Sequence, residues 1–516
     1  MSQKKDRPHV LLLYPKTGLD FGSTVAPPHA LLTVAAPVLK AGYGVRLLDQ
    51  RVQPITENVL REELSGDPIC VGISTMTGSQ IYFALALAKM VRKLTDGKIP
   101  IVWGGCHPSV VPEQTLENEN VDIVAIGEGD LTLLELVEAL EHKRSLAKIQ
   151  GIIYKDGGQM VKTLPRPLIN VEELLPTPWE LVNVDDYIHR DMYLRDRHRV
   201  LDIGQTSRGC PFDCAFCSSA SIRERKWRAM SVERTVDMIT EAVRRFKLDG
   251  FWLRDDEFYI KRKRAHEVFL GMIANNLDAS FYTSGTRCDV FAKATEEEVA
   301  TMKRAGAHTL KFGAESGSQR VLDLMQKGIT VEQTIEANLR CKRHGIIPAF
   351  ALMIGYPTET FEEMNQTIDL GYRLKRENPQ CELETMATYT ALPGTPDWHL
   401  SLKHGLKPPT KLEEWMNWNF DEYYLEGKKI PWFKTRKERR WVGNISYMSI
   451  LANALGNVVV SARNPFVRLA AEAFTRPVSA YYRFRLRNKM YKFVPELEAI
   501  RLLREKIFYK STYTFK

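Results

Sequence analysis

Three thiols lie within a single short stretch, TSRGCPFDCAFCSS, where Cys210, Cys214 and Cys217 are spaced CxxxCxxC. The other five cysteines, Cys70, Cys106, Cys288, Cys341 and Cys381, are scattered singly. Thiolates are the soft ligands that zinc and iron–sulfur clusters select. Structural zinc takes four protein ligands, yet no fourth cysteine is close, and the next histidines are His189 and His198 upstream and His266 downstream. Three cysteines on one loop leave one metal of a cubane cluster open to a further ligand, so spacing favours a cluster over zinc without excluding zinc. Eight cysteines in 516 residues are too few for a disulfide scaffold. Their distribution fits a reducing cytoplasm and one metal site.

Such a loop needs rigid elements to hold it. From Leu201 to about Leu400 the strand-like runs DIGQTS, GFWLRD, SFYTSGTR, HTLKFGAE, IPAFALMIG and ELETMATYTAL alternate with helical stretches. Six β/α units predict a partial barrel, smaller than the ~250 residues of a complete eight-unit one, with catalytic groups at the carboxyl ends of the strands. The cysteine loop directly follows the first strand. Residues 8–142 alternate likewise: HVLLLY, VRLLD, CVGIS, IVWGG and VDIVAIG read as buried parallel strands linked by four helical crossovers. That predicts an open, doubly wound Rossmann-like sheet whose ligand sits beyond the strands' carboxyl ends. The fold class is therefore α/β, with domains at 1–148 and 201–400. A connection with a hairpin spans 149–200, and a basic, mainly helical region occupies 401–516.

CPFDCAFC, with Phe216 just before the last cysteine, closely resembles the signature loop of the radical S-adenosylmethionine (SAM) enzymes. The resemblance implies that Cys210, Cys214 and Cys217 hold a 4Fe–4S cluster whose unique iron is chelated by S-adenosyl-L-methionine. Reductive cleavage of the sulfonium then gives a 5′-deoxyadenosyl radical, chemistry that belongs to the cofactor. Further motifs follow in the family's order. Asp255, Asp256 and Glu257 end the second strand, where the family binds the amino group of SAM, although DDEF replaces the commoner GGE. Arg287 resembles a third-strand arginine near SAM, and Glu315 and Ser316 resemble polar contacts after the fourth strand. Ile354-Gly355-Tyr356-Pro357 and Leu392-Pro393-Gly394-Thr395-Pro396 match strand ends that pack on adenine or close the cavity. A lone glutamate at a strand end is as often half of an ion pair.

No GxGxxG follows the first strand, so a dinucleotide fingerprint is absent. Ser74-Thr75-Met76 ends the third strand and Gly104-Gly105 the fourth, followed by Cys106-His107-Pro108 and by Gly127-Glu128-Gly129. Small residues there let backbone approach a flat ligand. The arrangement resembles the cobalamin-binding domain that precedes many radical enzymes. It departs from the cobalt-ligating version, because Asp49-Gln50-Arg51-Val52-Gln53-Pro54 carries no DxHxxG histidine. The resemblance therefore implies cobalamin whose lower face is not ligated by protein imidazole, with His107 as a corrin contact or turn cap.

Charge is divided unevenly. Residues 428–516 hold 20 Lys/Arg and 5 Asp/Glu, whereas residues 1–427 sum to −6. The uncharged run 441–462 has the length of a ~20-residue membrane span, but three asparagines and three serines make it a poor one. It reads better as a helix covering the barrel's open side. Basic segments with aromatics also suit an anionic membrane surface. No RNA or DNA module accompanies them, so nucleic acid is not an expected partner.

Together the resemblances imply a cobalamin-dependent radical SAM enzyme, most simply one that methylates an unactivated carbon, with substrate between cobalamin and cluster. The basic tail points to a lipophilic or membrane-associated small-molecule substrate, and to a cytoplasmic protein that is peripheral on the inner membrane face. A flavodoxin or ferredoxin is the expected electron donor. Rival readings are a radical cyclase or oxidoreductase without methyl transfer and, more remotely, a non-catalytic cobalamin/iron–sulfur sensor.

Overall fold

The computed structural model describes residues 8–18, 25–190, 194–418, 429–453, 465–499 and 501. The apolar runs of the first region become β1 (His9–Tyr14), β2 (Gly44–Asp49), β3 (Cys70–Ser74), β4 (Ile101–Gly104) and β5 (Ile123–Ala125). Val10–Leu13 are almost wholly buried, as expected of a central parallel strand covered on both faces. The hairpin strands β6 (Ile152–Asp156) and β7 (Gln159–Lys162) complete a seven-stranded sheet, ordered β2-β1-β3-β4-β5-β6-β7.

That hairpin corrects the expected boundary at residue 148. β6 pairs antiparallel with β5, so the hairpin belongs to the first sheet and not to a linker. Gly157 and Gly158, at φ 54° and 83°, make the tight turn that both-positive φ values require. The rest of the connection packs between the domains. Tyr187 donates a hydrogen bond from its hydroxyl to Asp49 (3.0 Å), and the Trp179 ring lies against both His29 and Phe246.

The second sheet has six parallel strands: β8 (Val200–Gly204), β11 (Gly250–Leu253), β12 (Ser280–Thr286), β13 (Ala307–Glu315), β14 (Ile347–Ile354) and β15 (Glu382–Thr388). A two-stranded ribbon, β9 (Ser207–Arg208) and β10 (Arg228–Ala229), brackets the cysteine loop. The sheet is an open, partial barrel, as expected from six units.

The helix Arg436–Asn453 takes up the first part of the uncharged run and lies on the edge strand β15. Its polar residues face inward. Ser449 Oγ accepts from the Met386 amide (2.8 Å), Ser446 and Thr388 share a hydroxyl hydrogen bond (2.7 Å), and the Asn444 side chain donates to the Tyr491 carbonyl (2.8 Å). Two of the serines that made the run a poor membrane segment thus bond the edge strand, and the asparagine ties the helix to the turn that follows Pro465–Arg487. Among the described residues no helix is long and apolar enough to cross a membrane. Residues 454–462 of the run, and 502–516 of the tail, lie outside the described residues.

Candidate active site

The cysteine loop is held from several sides. Gly209, at φ 85°, admits no side chain because a Cβ there would strike the Lys226 backbone. The Gly209 amide donates to Asp256 Oδ2 (2.9 Å), and the Ala215 amide donates to the Met325 carbonyl (2.8 Å). The Arg287 guanidinium stacks 3.6 Å from the Phe212 ring centroid and donates to Cys214 Sγ at 3.4 Å. Cys210, Cys214 and Cys217 are all free thiols. Burial pushes the Cys210 thiol up to about 12 and raises Cys217 as well, so both carry protons until a metal displaces them. Among the described residues no three His, Cys, Asp or Glu side chains converge on one metal ion. A cluster instead asks for one thiolate per iron, and three free thiols beside the Arg287 cation suit its anionic sulfurs.

The three acids after β11 separate into different tasks. Asp255 Oδ1 accepts from the Thr206 amide (3.1 Å), Thr206 Oγ1 (2.9 Å) and Ser207 Oγ (2.5 Å), while its buried Oδ2 has no protein partner. Asp256 braces the cysteine loop through Gly209. Glu257 is buried and accepts from the Tyr259 amide (3.1 Å), and burial raises its carboxyl to about 8. A carboxyl so desolvated is one that gains from a cationic or donor ligand. Of the three acids, Asp255 thus keeps one oxygen without a protein hydrogen bond, and Glu257 accepts from a backbone amide.

Glu315 ends β13 at φ 58°, a left-handed conformation that is uncommon outside glycine. Its carboxylate takes a 2.7 Å ion pair from Lys327, whose ammonium also lies 5.5 Å from the Phe216 ring centroid. Burial opposes the Lys327 charge, but Glu315 holds its pKa above the ordinary lysine value. Lys327 had no sequence signal: it is a single lysine on a loop, brought beside the cysteine loop only by the fold. The Ser316 hydroxyl is engaged within the chain, hydrogen-bonding Thr367 Oγ1 (3.2 Å) and accepting from the Ser318 amide (3.1 Å). Ile354 is fully buried, and its carbonyl accepts from the Tyr389 amide (2.8 Å). The next residue, Gly355, receives Trp432 Nε1 on its carbonyl (3.0 Å).

At the other sheet, β3 and β4 end in Ser74-Thr75-Met76 and Gly104-Gly105. Met76 is exposed, whereas Thr75 and His107 are fully buried. Thr75 Oγ1 and His107 Nε2 are buried without a protein partner. His107 Nδ1 is engaged with Thr77 Oγ1 (3.0 Å), and burial lowers the imidazole to about 3, so it is neutral. A Cβ added at Gly104 would find its nearest neighbour 3.9 Å away, and one at Gly127 nothing within 4 Å. Orphaned polar atoms beside open glycine backbone fit a large flat ligand at this end of the sheet. Gly129 is different, because it packs under Val34. Glu128 is also different, and here the expected cobalamin contact is corrected. Its carboxylate turns toward the barrel, where it pairs with Arg223, with Arg228 (2.8 Å) and with Arg208 (3.5 Å).

The two ends meet. A Cβ built on Gly394, after β15, would lie 3.3 Å from Val110, which follows Gly104-Gly105, and 3.5 Å from Ser221, which follows the cysteine loop. The segment 409–418 reinforces the contact. Gln114 donates to the Pro409 carbonyl (3.0 Å), Asn118 to Glu413 (2.6 Å), and Trp415 packs edge-on against His107 at 5.2 Å.

Residues 205–371 match the radical SAM superfamily and residues 22–137 match the B12 binding domain. An uncharacterized methyltransferase of Pyrococcus horikoshii is 33% identical over 386 residues, 74% of this chain and 80% of that protein. The chain belongs to the cobalamin-binding radical SAM enzymes. Members of this family that it also resembles include the anaerobic magnesium-protoporphyrin IX monomethyl ester cyclase of Cereibacter sphaeroides, 27% identical over 78% of this chain and 64% of that one. The hopanoid C-3 methylase of Methylococcus capsulatus is 26% identical over 83% of this chain and 80% of that one. Among solved structures, the cobalamin-dependent radical SAM enzyme OxsB superposes with a TM-score of 0.73 at 20% identity, covering 99% of this chain and 76% of that one. The last likeness establishes fold. As a cobalamin-dependent radical SAM enzyme of the methyltransferase family, the protein has a 4Fe–4S cluster, SAM and cobalamin as its cofactors.

Proposed function

We propose that the enzyme methylates an unactivated carbon of a lipophilic, membrane-associated substrate bound between the two sheet ends. The observation that supports this reading is the junction at Gly394, where a Cβ would lie 3.3 Å from Val110 of the first domain and 3.5 Å from Ser221, shortly after the cysteine loop of the second. When bound, the cofactors supply a hydrogen-abstracting carbon radical and a transferable methyl group. The chain supplies position and seclusion. Cys210, Cys214 and Cys217 hold the cluster, Arg287 braces the loop, and the Glu315–Lys327 pair sets the charge beside it. Glu257 receives the amino group of SAM, with Phe216 and Ile354 packing alongside. Ser74, Thr75, Met76, Gly104, Gly105, His107 and the Gly127 backbone cradle cobalamin, and a substrate held at the junction would be shielded from water by the two domains.

Similarity to a hopanoid methylase and the basic tail support a lipophilic substrate at the inner face of the cytoplasmic membrane, and a small redox protein such as flavodoxin or ferredoxin supplies the electron. Similarity to a tetrapyrrole cyclase keeps ring formation without methyl transfer as the second reading. Anaerobic turnover with reductant, methylcobalamin and SAM separates the two. Deoxyadenosine together with S-adenosylhomocysteine, both absent in Cys214→Ala, is the expected result. Deoxyadenosine without S-adenosylhomocysteine, in the presence of a substrate that is consumed, would establish the cyclase reading instead.

A further inference from the structure

The helix Pro465–Arg487 and the turn after it carry a concentration of outward-facing apolar residues. Phe474 is 72% exposed, Tyr481 50%, Phe484 60%, Met490 47% and Phe493 75%. Outside this segment the exposed large apolar side chains among the described residues are scattered singly, as is ordinary for a globular surface. Here they form one ridge. Phe474, Tyr481 and Phe484 recur at seven and three residues on one helical face. The buried Arg485 guanidinium ties the turn to that face, donating to the Tyr481 hydroxyl (3.1 Å), the Met490 carbonyl (2.9 Å) and the Phe493 carbonyl. The opposite helical face, with Thr475, Ser479, Tyr482 and Leu486, is buried against the body. Helix Arg436–Asn453 receives it, since Ser479 Oγ donates to the Leu451 carbonyl (2.9 Å) and Arg483 to the Ala452 carbonyl (3.0 Å).

We infer that this ridge docks the enzyme on an anionic lipid bilayer. Charge decides the occupant. Arg476, Arg487 and Lys492 are exposed beside the ridge, in a region of net charge +15 attached to a body of −6. An aromatic ridge flanked by basic side chains matches the headgroup boundary, with rings at the acyl border and cations among the phosphates. The acidic body is repelled by the same surface, which orients the molecule. A soluble acidic protein would complement the cations but offers the rings no apolar counterpart. The inference deepens the lipophilic-substrate reading by naming the face that meets the membrane, and its test needs no turnover.

The full-length holoenzyme is sedimented with vesicles of phosphatidylcholine alone, or with one third phosphatidylglycerol, at low and high salt. Binding is expected to the anionic vesicles only and to be released by salt. It falls at least about tenfold in Phe474→Ser/Phe484→Ser/Phe493→Ser, and also in Arg476→Glu/Arg487→Glu/Lys492→Glu. Cofactor absorbance reports that each variant has folded, and the two sets fail independently. Equal binding by both sets, or none by the wild type, overturns the inference. So does a fall in molar mass by light scattering in the aromatic variant, which makes the ridge a contact between copies, or tight tRNA capture that the aromatic variant leaves unchanged. A vesicle result of either sign leaves the methylation reading to its own product assay.

Discussion

Among single residues, Glu257 is the proposed acceptor for the amino group of SAM. It is a buried carboxyl, raised to about 8 by desolvation, in the field of two cations, Arg287 and Lys327. Replacing it with glutamine keeps the shape and removes the charge that a donor ligand rewards. Hydrogen bonds to charged groups contribute about 1.5–3 kcal/mol, so Glu257→Gln is expected to weaken SAM binding roughly 10- to 100-fold by calorimetry on cluster-loaded protein. Unchanged affinity would move the role to Asp255 Oδ2. At this scale the sequence was legible where residue types sit next to each other, as in the cysteine loop. It was silent where partners are distant. Lys327 reaches Glu315 only because the helix Gln319–Leu324 carries the chain back to the end of β13. Glu128, read as a cofactor contact, is claimed by three arginines that arrive from the other domain.

The elements explain what the C-terminal region is built for. An open parallel sheet leaves an edge strand with unpaired amides, and the helix Arg436–Asn453 supplies hydroxyls to that edge. Removing Ser449 Oγ leaves the buried Met386 amide without its acceptor, at a cost of about 1–3 kcal/mol. Ser449→Ala should therefore lower stability by that amount in chemical denaturation, while Ser449→Thr retains most of it; a neutral alanine variant would remove the edge-capping role. The strand order of the two main sheets was readable because apolar runs and turn residues are local signals, whereas the short ribbon β9–β10 left no such signal. The placement of the hairpin β6–β7 was not readable either. Two strands joined by Gly157-Gly158 announce themselves, but which neighbour they pair with is decided by the free edge of β5, far away in space from any sequence cue.

For the whole molecule the interdomain ion cluster sets how the two sheets face one another. Burial opposes the Glu128 charge, yet Arg228, Arg208 and Arg223 hold its carboxyl at about 2, against 4.5 ordinarily. A depressed carboxyl stabilises the fold fully above about pH 4.5 and loses that contribution as pH falls toward 2. The shift corresponds to about 3 kcal/mol. Glu128→Gln should therefore be less stable at pH 7 and should show a shallower loss of stability on acidification than wild type, keeping only the share of carboxyls such as Asp202 and Glu363; an unchanged acid limb would contradict the assignment. The domain order was legible from two local motifs, whereas their face-to-face arrangement was carried by contacts such as Asp130–Arg208, 3.0 Å across the boundary.

That arrangement is the central claim, and electron paramagnetic resonance tests it most directly. Protein carrying both the reduced cluster and cob(II)alamin is measured against samples in which only one of the two is paramagnetic. Facing cofactors predict a spectrum altered by spin–spin coupling, which is lost in Cys214→Ala together with the cluster signal. A spectrum equal to the sum of the two separate centres would show that they do not share one cavity, and would contradict the active site described here.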